Sequence, residues 1–154
     1  MRVWRLCRAK HAATAFDGEG ARLFGGRWNE KGVPVVYASA TLSLAALEVL
    51  VHHRVPLPPQ DFVAISADFP QRVRLETIEE ARLPRDWQAD PPPRELQQIG
   101  SEWARSLRSL VLVVPSALIS QEFNYLINPR HPAFARLKIA APKPFPFDPR
   151  LWRV

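Results

Sequence analysis

The alternation of apolar and polar positions predicts a series of short strands along the chain. Residues 2–8 and 61–69 alternate with a period of two, which is typical of strands that bury one face. Residues 110–114 are an apolar run that Pro115 ends, and this pattern predicts a buried strand. Shorter patterns predict further strands at 35–38, 72–76, 137–140 and 145–147.

Two segments have the periodicity of helices. Thr41 is a good N-cap for a helix that continues to about His53, where a proline-rich stretch follows. In residues 95–107, apolar side chains recur every three or four positions and predict a second helix. Because the helices interleave with the strands without regular βαβ alternation, we expect an α+β fold. The 154 residues, 47% of them hydrophobic, fit a single compact domain over residues 1–154.

Three segments between these elements are predicted to be loops. Residues 11–32 contain five of the six glycines, and residues 84–94 are rich in proline. Residues 124–134 are rich in turn-forming residues. We expect the polar side chains of this last segment to bond to nearby backbone groups; they are Asn124, Asn128 and His131.

The composition is that of a basic chain with one cysteine. The 21 Lys and Arg residues exceed the 15 Asp and Glu residues, the net charge is +6, and 17 of the cations are arginine. Arginine favours bidentate capture of phosphate or carboxylate, so an acidic or phosphorylated ligand fits this charge. Cys7 cannot form an internal disulfide, and we expect it to pack in its apolar run. The lack of a long apolar run or a secretion signal favours a cytoplasmic protein without a membrane partner.

The common metal and nucleotide motifs are missing from the sequence. His52 and His53 are adjacent, so on a helix their side chains point about 100° apart. No CxxC, HExxH or EF-hand spacing occurs, and we expect no bound metal. Neither a P-loop nor a GxGxxG fingerprint is present, so any nucleotide site must be built differently.

The segment FGGRWN, residues 24–29, is the clearest local indication of function. Paired glycines allow a ligand to approach the backbone closely, and Arg27 directly after them is well suited to bind a phosphate. The alternative interpretation is a tight turn in which Arg27 is solvated and Trp28 is packed.

Glu48 is the second candidate for function. In the predicted helix it shares a face with Leu44 and Val51, and almost all of its neighbours are apolar. A carboxylate there should be at least partly buried, and it therefore needs a partner. Two interpretations stay open: a structural ion pair with an arginine, or an active-site carboxylate beside a pocket.

Two further positions have both a structural and a functional interpretation. Ser116 follows the predicted buried strand, where it can cap a turn or open onto a site, and it has no GxSxG context. Tyr37 ends a short strand and can either stack on a flat ring or pack in the core. We expect four of the five tryptophans to pack in the core: Trp4, Trp28, Trp103 and Trp152.

Taken together, these segments resemble the RES-domain family, which is named for its characteristic Arg, Glu and Ser. Several short motifs in the right order are far more specific than any one of them. The matching stretches are WRL (4–6), GEGARLFGGRWN (18–29), VVYAS (35–39), SLAALEVLVH (43–52), LQQIGSEW (96–103), VLVVPSALI (111–119), NYLINPRHPAF (124–134) and FDPRL (147–151). The resemblance implies one RES-type domain with a fold similar to that of ADP-ribosyltransferases and diphtheria-type toxins.

The resemblance also implies a function. RES proteins are toxins of bacterial toxin–antitoxin pairs, and their partners are Xre-type antitoxins with a helix-turn-helix. Family members deplete NAD+ as glycohydrolases or phosphorylases, with NAD+ as the substrate and no cofactor, and at least one ADP-ribosylates a protein. By the family's motifs, Glu48 is the catalytic carboxylate and Arg27 acts with it. The same motifs imply substrate contacts by Arg5 and Arg27 at the phosphates or ribose, by Tyr37 near nicotinamide, and by Ser116 and Asn128.

The residue types support this chemistry independently of the resemblance. Two arginines can neutralise the pyrophosphate of NAD+, and a carboxylate such as Glu48 can stabilise positive charge on the ribose as nicotinamide leaves. The alternative enzyme is a protein ADP-ribosyltransferase that uses the same site. Two non-enzymatic alternatives are a basic nucleic-acid-binding module and a toxin that acts by binding alone. Scattered cations and the lack of a DNA-binding motif disfavour direct nucleic-acid binding.

Overall fold

A mixed sheet with three helices carries the fold of this chain. The computed structural model describes residues 1–52 and 61–152, except for the side chain of Trp152. The helices are α1 (Glu19–Phe24), α2 (Leu42–His52) and α3 (Arg94–Ser106). The strands are β1 (Arg2–Arg8), β2 (Val36–Ser39), β3 (Phe62–Asp68), β4 (Leu75–Thr77), β5 (Val111–Pro115), β6 (Phe123–Ile127), β7 (Lys138–Ile139) and β8 (Lys143–Pro144). This mixture confirms the expected α+β fold.

The strands form one sheet in the order β4-β5-β6-β2-β1-β3-β7, with β8 also paired to β3. All pairs are antiparallel except β4 with β5. β1 pairs with β3 along its whole length, whereas β1 pairs with β2 only at Trp4 and Ser39. The sheet therefore opens beside β2, and backbone groups of β2 near this opening need partners other than β1.

The alternation of side chains along the strands produces two apolar faces. The first face packs against Ala15 and Phe16, which follow the 3-10 turn Ala9–Thr14. The second face carries two separate clusters, one under α2 with Leu6 and Ala64, and one under α3 with Leu112, Val114 and Leu126. In the strand order β2 lies between these two clusters, so its second-face side chains lie between α2 and α3.

Most of the predicted elements are present within a few residues of the expected bounds. The N-cap of α2 is confirmed, because the Thr41 hydroxyl accepts a hydrogen bond from the Leu44 N–H at 3.1 Å. The predicted end of this helix at His53, with the prolines beyond it, lies outside the described residues. No helix in the described part of the chain has the length and apolarity needed to cross a bilayer.

Three predictions about elements were wrong. Residues 124–134 were expected to be a turn-rich loop, but β6 occupies Phe123–Ile127, where pairing with β2 and β5 on both sides outweighs the asparagine content. The loop predicted at 11–32 contains α1, because Gly18 lies at the N-cap and Gly25 at the C-cap of this helix; Gly25 has a φ of 73°. The last strand lies at Lys143–Pro144, before the predicted 145–147.

The core predictions for tryptophan are largely confirmed. Trp28 and Trp103, a residue of α3, are buried in the same cluster, and Trp4 is half-buried beside Leu6. The side chain of Trp152 lies outside the described part of the chain. Trp87 is also buried, although it belongs to the segment that was predicted only as a proline-rich loop. Cys7 packs half-buried against the first face as expected, and burial raises the pKa of its thiol.

Gly100 is the point at which α3 touches the backbone of the FGGRWN segment. A Cβ added at Gly100 would lie 1.9 Å from the Trp28 carbonyl oxygen, so helix and loop would have to separate. We expect Gly100→Ala to lower the free energy of unfolding by about 1–3 kcal/mol, although alanine is the better helix former. Gly20→Ala in α1 is the control, because a Cβ there meets no atom within 4 Å. Urea denaturation measures both, and equal stability of the two variants would contradict the contact.

Candidate active site

The carboxylate of Glu48 lies where α2 faces the adjacent ends of β5 and β6. Its Oε1 accepts hydrogen bonds from the Ser116 hydroxyl at 3.1 Å and from the Asn124 amide at 2.5 Å. Glu48 is half-buried, as expected, although Val51 on the same predicted face is 59% exposed. Both donors are neutral, and no ion pair joins Glu48 to an arginine within residues 1–52 and 61–152. The structural ion pair proposed from the sequence is therefore wrong for the described residues.

Ser116 caps a turn, which is one of the two roles that the sequence left open, and it also contacts Glu48. It is fully buried, and its Oγ accepts hydrogen bonds from the backbone N–H groups of Leu118 at 3.2 Å and Ile119 at 3.3 Å. With both lone pairs occupied, the hydroxyl proton is directed at Glu48. The side chain thus caps the turn after β5 and holds the carboxylate at the same time.

Asn124 is a member of this cluster that the sequence analysis assigned incorrectly. Its Oδ1 accepts a hydrogen bond from the Ser39 hydroxyl at 2.7 Å, which leaves its NH2 group facing Glu48. The expectation that Asn124 bonds to the backbone is wrong for this side chain. In a strand its side chain shares a face with Leu126 and points into the protein, whereas in a turn the same asparagine would serve its own backbone.

Arg27 lies in a tight turn, but its side chain is not simply solvated. The Gly26 N–H donates to the Asn29 carbonyl at 2.9 Å, which closes the turn. Arg27 Nη1 donates to the carbonyl oxygens of Trp87 at 2.7 Å and Ala89 at 3.0 Å. Burial lowers the pKa of Arg27, and the nearby Asp90 and Glu48 carboxylates partly oppose this shift. Its Nε and Nη2 have no hydrogen-bond partner among the described residues, so they remain available to an anionic ligand.

The Tyr37 side chain, which projects from β2, forms hydrogen bonds with the turn that contains Arg27. Its hydroxyl donates to Asn29 Oδ1 at 2.7 Å and accepts a hydrogen bond from the Trp28 N–H at 3.0 Å. Burial raises the pKa of Tyr37, so the phenol stays neutral. A Cβ at Gly26 would lie 2.6 Å from this hydroxyl, which explains the second glycine of the pair. Since the hydroxyl is occupied, the half-buried ring is the part of Tyr37 that a ligand can contact.

Arg5 approaches Tyr37 from the other side of the sheet. Alternation along β1 places Arg5 with Val3 on the first face, whereas Glu48 packs over the second. Arg5 Nη1 donates to the Tyr37 carbonyl at 2.6 Å, at the opening between β1 and β2. Burial lowers the pKa of Arg5, and its buried Nε has no hydrogen-bond partner in the part of the chain that the structure describes. Arg5 therefore supports the backbone of β2 next to the candidate site.

Asn128 lies away from this cluster. It follows the far end of β6, about 13 Å from Asn124 at the rise of a β-strand. Its amide donates to the Ala104 carbonyl at 2.7 Å, and its Oδ1 accepts from the Arg130 N–H at 3.0 Å. Asn128 and His131 thus bond to nearby backbone as the turn-rich segment predicted. Asn128 lines a separate open cavity of about 380 Å³, and the structure does not bring it to Glu48.

Comparison with known proteins shows the family of this chain. The RES domain model matches residues 2–148. The chain belongs to the RES-domain family. A Toxin Res of Yersinia enterocolitica is 37% identical over 152 residues, which cover 98% of this chain and 99% of the relative. A Prs ADP-ribosylating toxin of a Sphingobium species is 37% identical over 154 residues, covering 97% and 96%.

A solved structure shows the same fold as this RES domain. The Mycobacterium tuberculosis MbcT–MbcA toxin–antitoxin complex contains a chain that superposes with a TM-score of 0.72 at 20% sequence identity. The superposition covers 98% of this chain and 86% of that one. The two chains therefore share their architecture at low sequence identity.

The substitution Glu48→Gln separates a structural from a chemical role of the carboxylate. The glutamine Oε1 can still accept from Ser116 and Asn124, so we expect a melting temperature within a few degrees of wild type. If the negative charge stabilises a transition state, the rate should fall by about 10²–10³ or more. Melting temperature and turnover are measured on the same preparation.

The matched control for this substitution is Glu122→Gln. Glu122 also accepts a hydrogen bond from a hydroxyl, that of Thr41 at 3.1 Å, but it does not contact the Glu48 cluster through its side chain. We expect this control to keep both stability and activity. A stable Glu48→Gln protein with near wild-type turnover would remove Glu48 from the mechanism.

Proposed function

We propose that this RES protein is the toxin of a toxin–antitoxin pair and cleaves the nicotinamide–ribose bond of NAD+. The supporting observation is that Glu48 is held by two neutral donors and by no cation among the described residues. Its negative charge is therefore kept in a partly buried position and is not neutralised by an ion pair. Such a carboxylate is suited to stabilise positive charge that develops beside it.

The proposed reaction makes use of this charge. The bond between the anomeric carbon and the nicotinamide nitrogen breaks, and its electron pair neutralises the pyridinium ring. Because nicotinamide leaves as a neutral molecule, no strong general acid is needed. The ribose gains oxocarbenium character, which Glu48 stabilises directly or by holding the ribose hydroxyls. The oxygen of water then bonds to the anomeric carbon and releases a proton, or a phosphate anion bonds through one of its negatively charged oxygens.

Arg27 is proposed to bind the pyrophosphate of the same substrate. Two backbone carbonyls fix its Nη1, so the remaining donors are oriented before the ligand arrives. The partly buried position strengthens their attraction for phosphate. The ring of Tyr37 is proposed to contact nicotinamide, Ser116 holds Glu48, and Arg5 reaches a phosphate or the ribose from the opening beside β2.

We propose an Xre-type helix-turn-helix antitoxin as the partner. The solved structure with the same fold is part of the MbcT–MbcA toxin–antitoxin complex, and the basic charge of this chain favours an acidic partner. The free donors of Arg27 would accept a carboxylate as readily as a phosphate. An acidic antitoxin segment in this position would exclude NAD+ from the site.

A protein ADP-ribosyltransferase is the second candidate function. It is favoured by the Sphingobium relative, which is named as an ADP-ribosylating toxin. The bond broken would be the same, and only the acceptor of the ADP-ribosyl group would differ. The products therefore distinguish the two functions.

Incubation of the purified protein with NAD+ tests the proposed function directly. We expect nicotinamide with either free ADP-ribose or, when phosphate is required, a phosphorylated ADP-ribose. Induction in a bacterial host should lower NAD+ as growth stops. Transfer of label from NAD+ to a protein would favour the ADP-ribosyltransferase. Growth arrest at constant NAD+, with no label transferred to a protein, would contradict ribosyl chemistry and support a toxin that acts by binding alone.

The Arg27→Ala variant tests whether a defined contact, and not general basicity, binds the substrate. A hydrogen-bonded contact to a charged group contributes about 1.5–3 kcal/mol, so kcat/KM should fall about 10- to 150-fold. Arg85→Ala and Arg94→Ala are the controls, because both side chains are exposed and close in sequence to the segment that holds Arg27. Equal losses in all three variants would indicate diffuse electrostatics and contradict the contact.

A further inference from the structure

The segment Gly25–Glu30, here called the arginine loop, rests on α3 through backbone contacts. Gln97 Nε2 donates to the Gly26 carbonyl at 2.9 Å, and the Glu30 N–H donates to the Ser101 hydroxyl at 2.8 Å. Between them, Gly100 lies against the Trp28 carbonyl. These contacts lie one helical turn apart and bracket Arg27, so α3 determines the path of the loop backbone on both sides of it.

The residues before α3 hold the Arg27 side chain. The carbonyls of Trp87 and Ala89 accept from Arg27 Nη1, and Gln88 Nε2 donates to the Ala117 carbonyl at 3.3 Å. Ala117 directly follows Ser116, which bonds to Glu48. One continuous segment, residues 87–101, thus contacts the arginine loop, the guanidinium and the turn beside the carboxylate.

Among the contacts between α3 and the arginine loop, that of Gln97 lies next to Arg27 in the chain. It holds the carbonyl of Gly26, and this carbonyl belongs to the peptide that joins Gly26 to Arg27. Gly26 also packs directly against the Tyr37 hydroxyl. Ser101, in contrast, is fully buried, and its loss would disturb the core. The exposed pair of Arg105 and Glu30 contributes little at the surface.

We propose that Gln97 is a positioning residue that sets the affinity for substrate through the Gly26 carbonyl and Arg27. The proposal rests on the function proposed above, because it assumes that Arg27 binds the phosphates of NAD+. Binding to the pyrophosphate is the same in the ground state and in the transition state, since the reaction occurs at the ribose. Displacing Arg27 should therefore raise KM and leave kcat nearly unchanged.

The Gln97→Met variant keeps the length of the side chain and removes its donor. From the contribution of one hydrogen bond, we expect KM for NAD+ to rise about three- to tenfold, with kcat within about twofold of wild type. The control is Gln98→Met, the next residue on α3, whose side chain is exposed. Steady-state kinetics and melting temperature are measured for both. A loss of kcat and melting temperature at constant KM would show a merely structural residue and overturn the proposal.

A double-mutant cycle with Arg27→Ala tests whether Gln97 acts through Arg27. If it does, Gln97→Met should change KM little in a chain that already lacks the guanidinium. Independent, multiplying effects of the two substitutions would overturn the proposal. An active Gln97→Met protein with unchanged KM would overturn this inference alone. A wild-type protein that neither binds nor consumes NAD+ would overturn the proposed function, and this inference with it.

Discussion

Both hydrogen bonds that hold Glu48 end on the same oxygen, Oε1, and each donor is oriented by a further bond of its own. The Ser116 hydroxyl accepts hydrogen bonds from two backbone N–H groups, and the side-chain Oδ1 of Asn124 accepts one from the Ser39 hydroxyl. Buried polar groups must keep their partners, so neither donor can rotate without leaving a group unsatisfied. The orientation of the carboxylate is thus fixed by the hydrogen-bonding requirements of its neighbours, and its second oxygen accepts no hydrogen bond from the described residues.

The same requirement keeps Glu48 and Arg27 apart. A free arginine beside a partly buried carboxylate would form an ion pair, and each charge would then cancel the other. Here the carbonyls of Trp87 and Ala89 occupy Arg27 Nη1, and neutral donors occupy Glu48 Oε1. The charge of Arg27 lies on the side of α3 and the charge of Glu48 on the side of α2, with β2 between these two helices. Under the proposed function, these two opposite charges are available to two different parts of NAD+.

The sequence predicted those features that depend on local pattern. Glu48 stands out because it is a charge among apolar helix positions, and Arg27 because it follows two glycines. Asn124 and Gln97 could not be found in this way, since a polar residue in a strand or on a helix gains its role from a partner distant in sequence. The role of the proline-rich segment 84–94 could not be found either. It depends on two backbone carbonyls that accept hydrogen bonds from Arg27, and any residue type supplies a carbonyl. For Arg5 the family motif indicated a substrate contact, while strand alternation alone indicates the face opposite to Glu48.

Under the proposed function, the acceptor of the ribosyl group need not be selected by the residues that break the bond. When the C–N bond is largely broken before the acceptor bonds, the barrier depends on stabilising the oxocarbenium and holding the pyrophosphate, which are the tasks of Glu48 and Arg27. Water, phosphate or a protein side chain can then capture the same electrophile. Relatives that share this fold could therefore differ in product without differing in these two residues. The acceptor would be determined by which molecules can reach the ribose. This access depends on the loops around the site and not on Glu48 and Arg27.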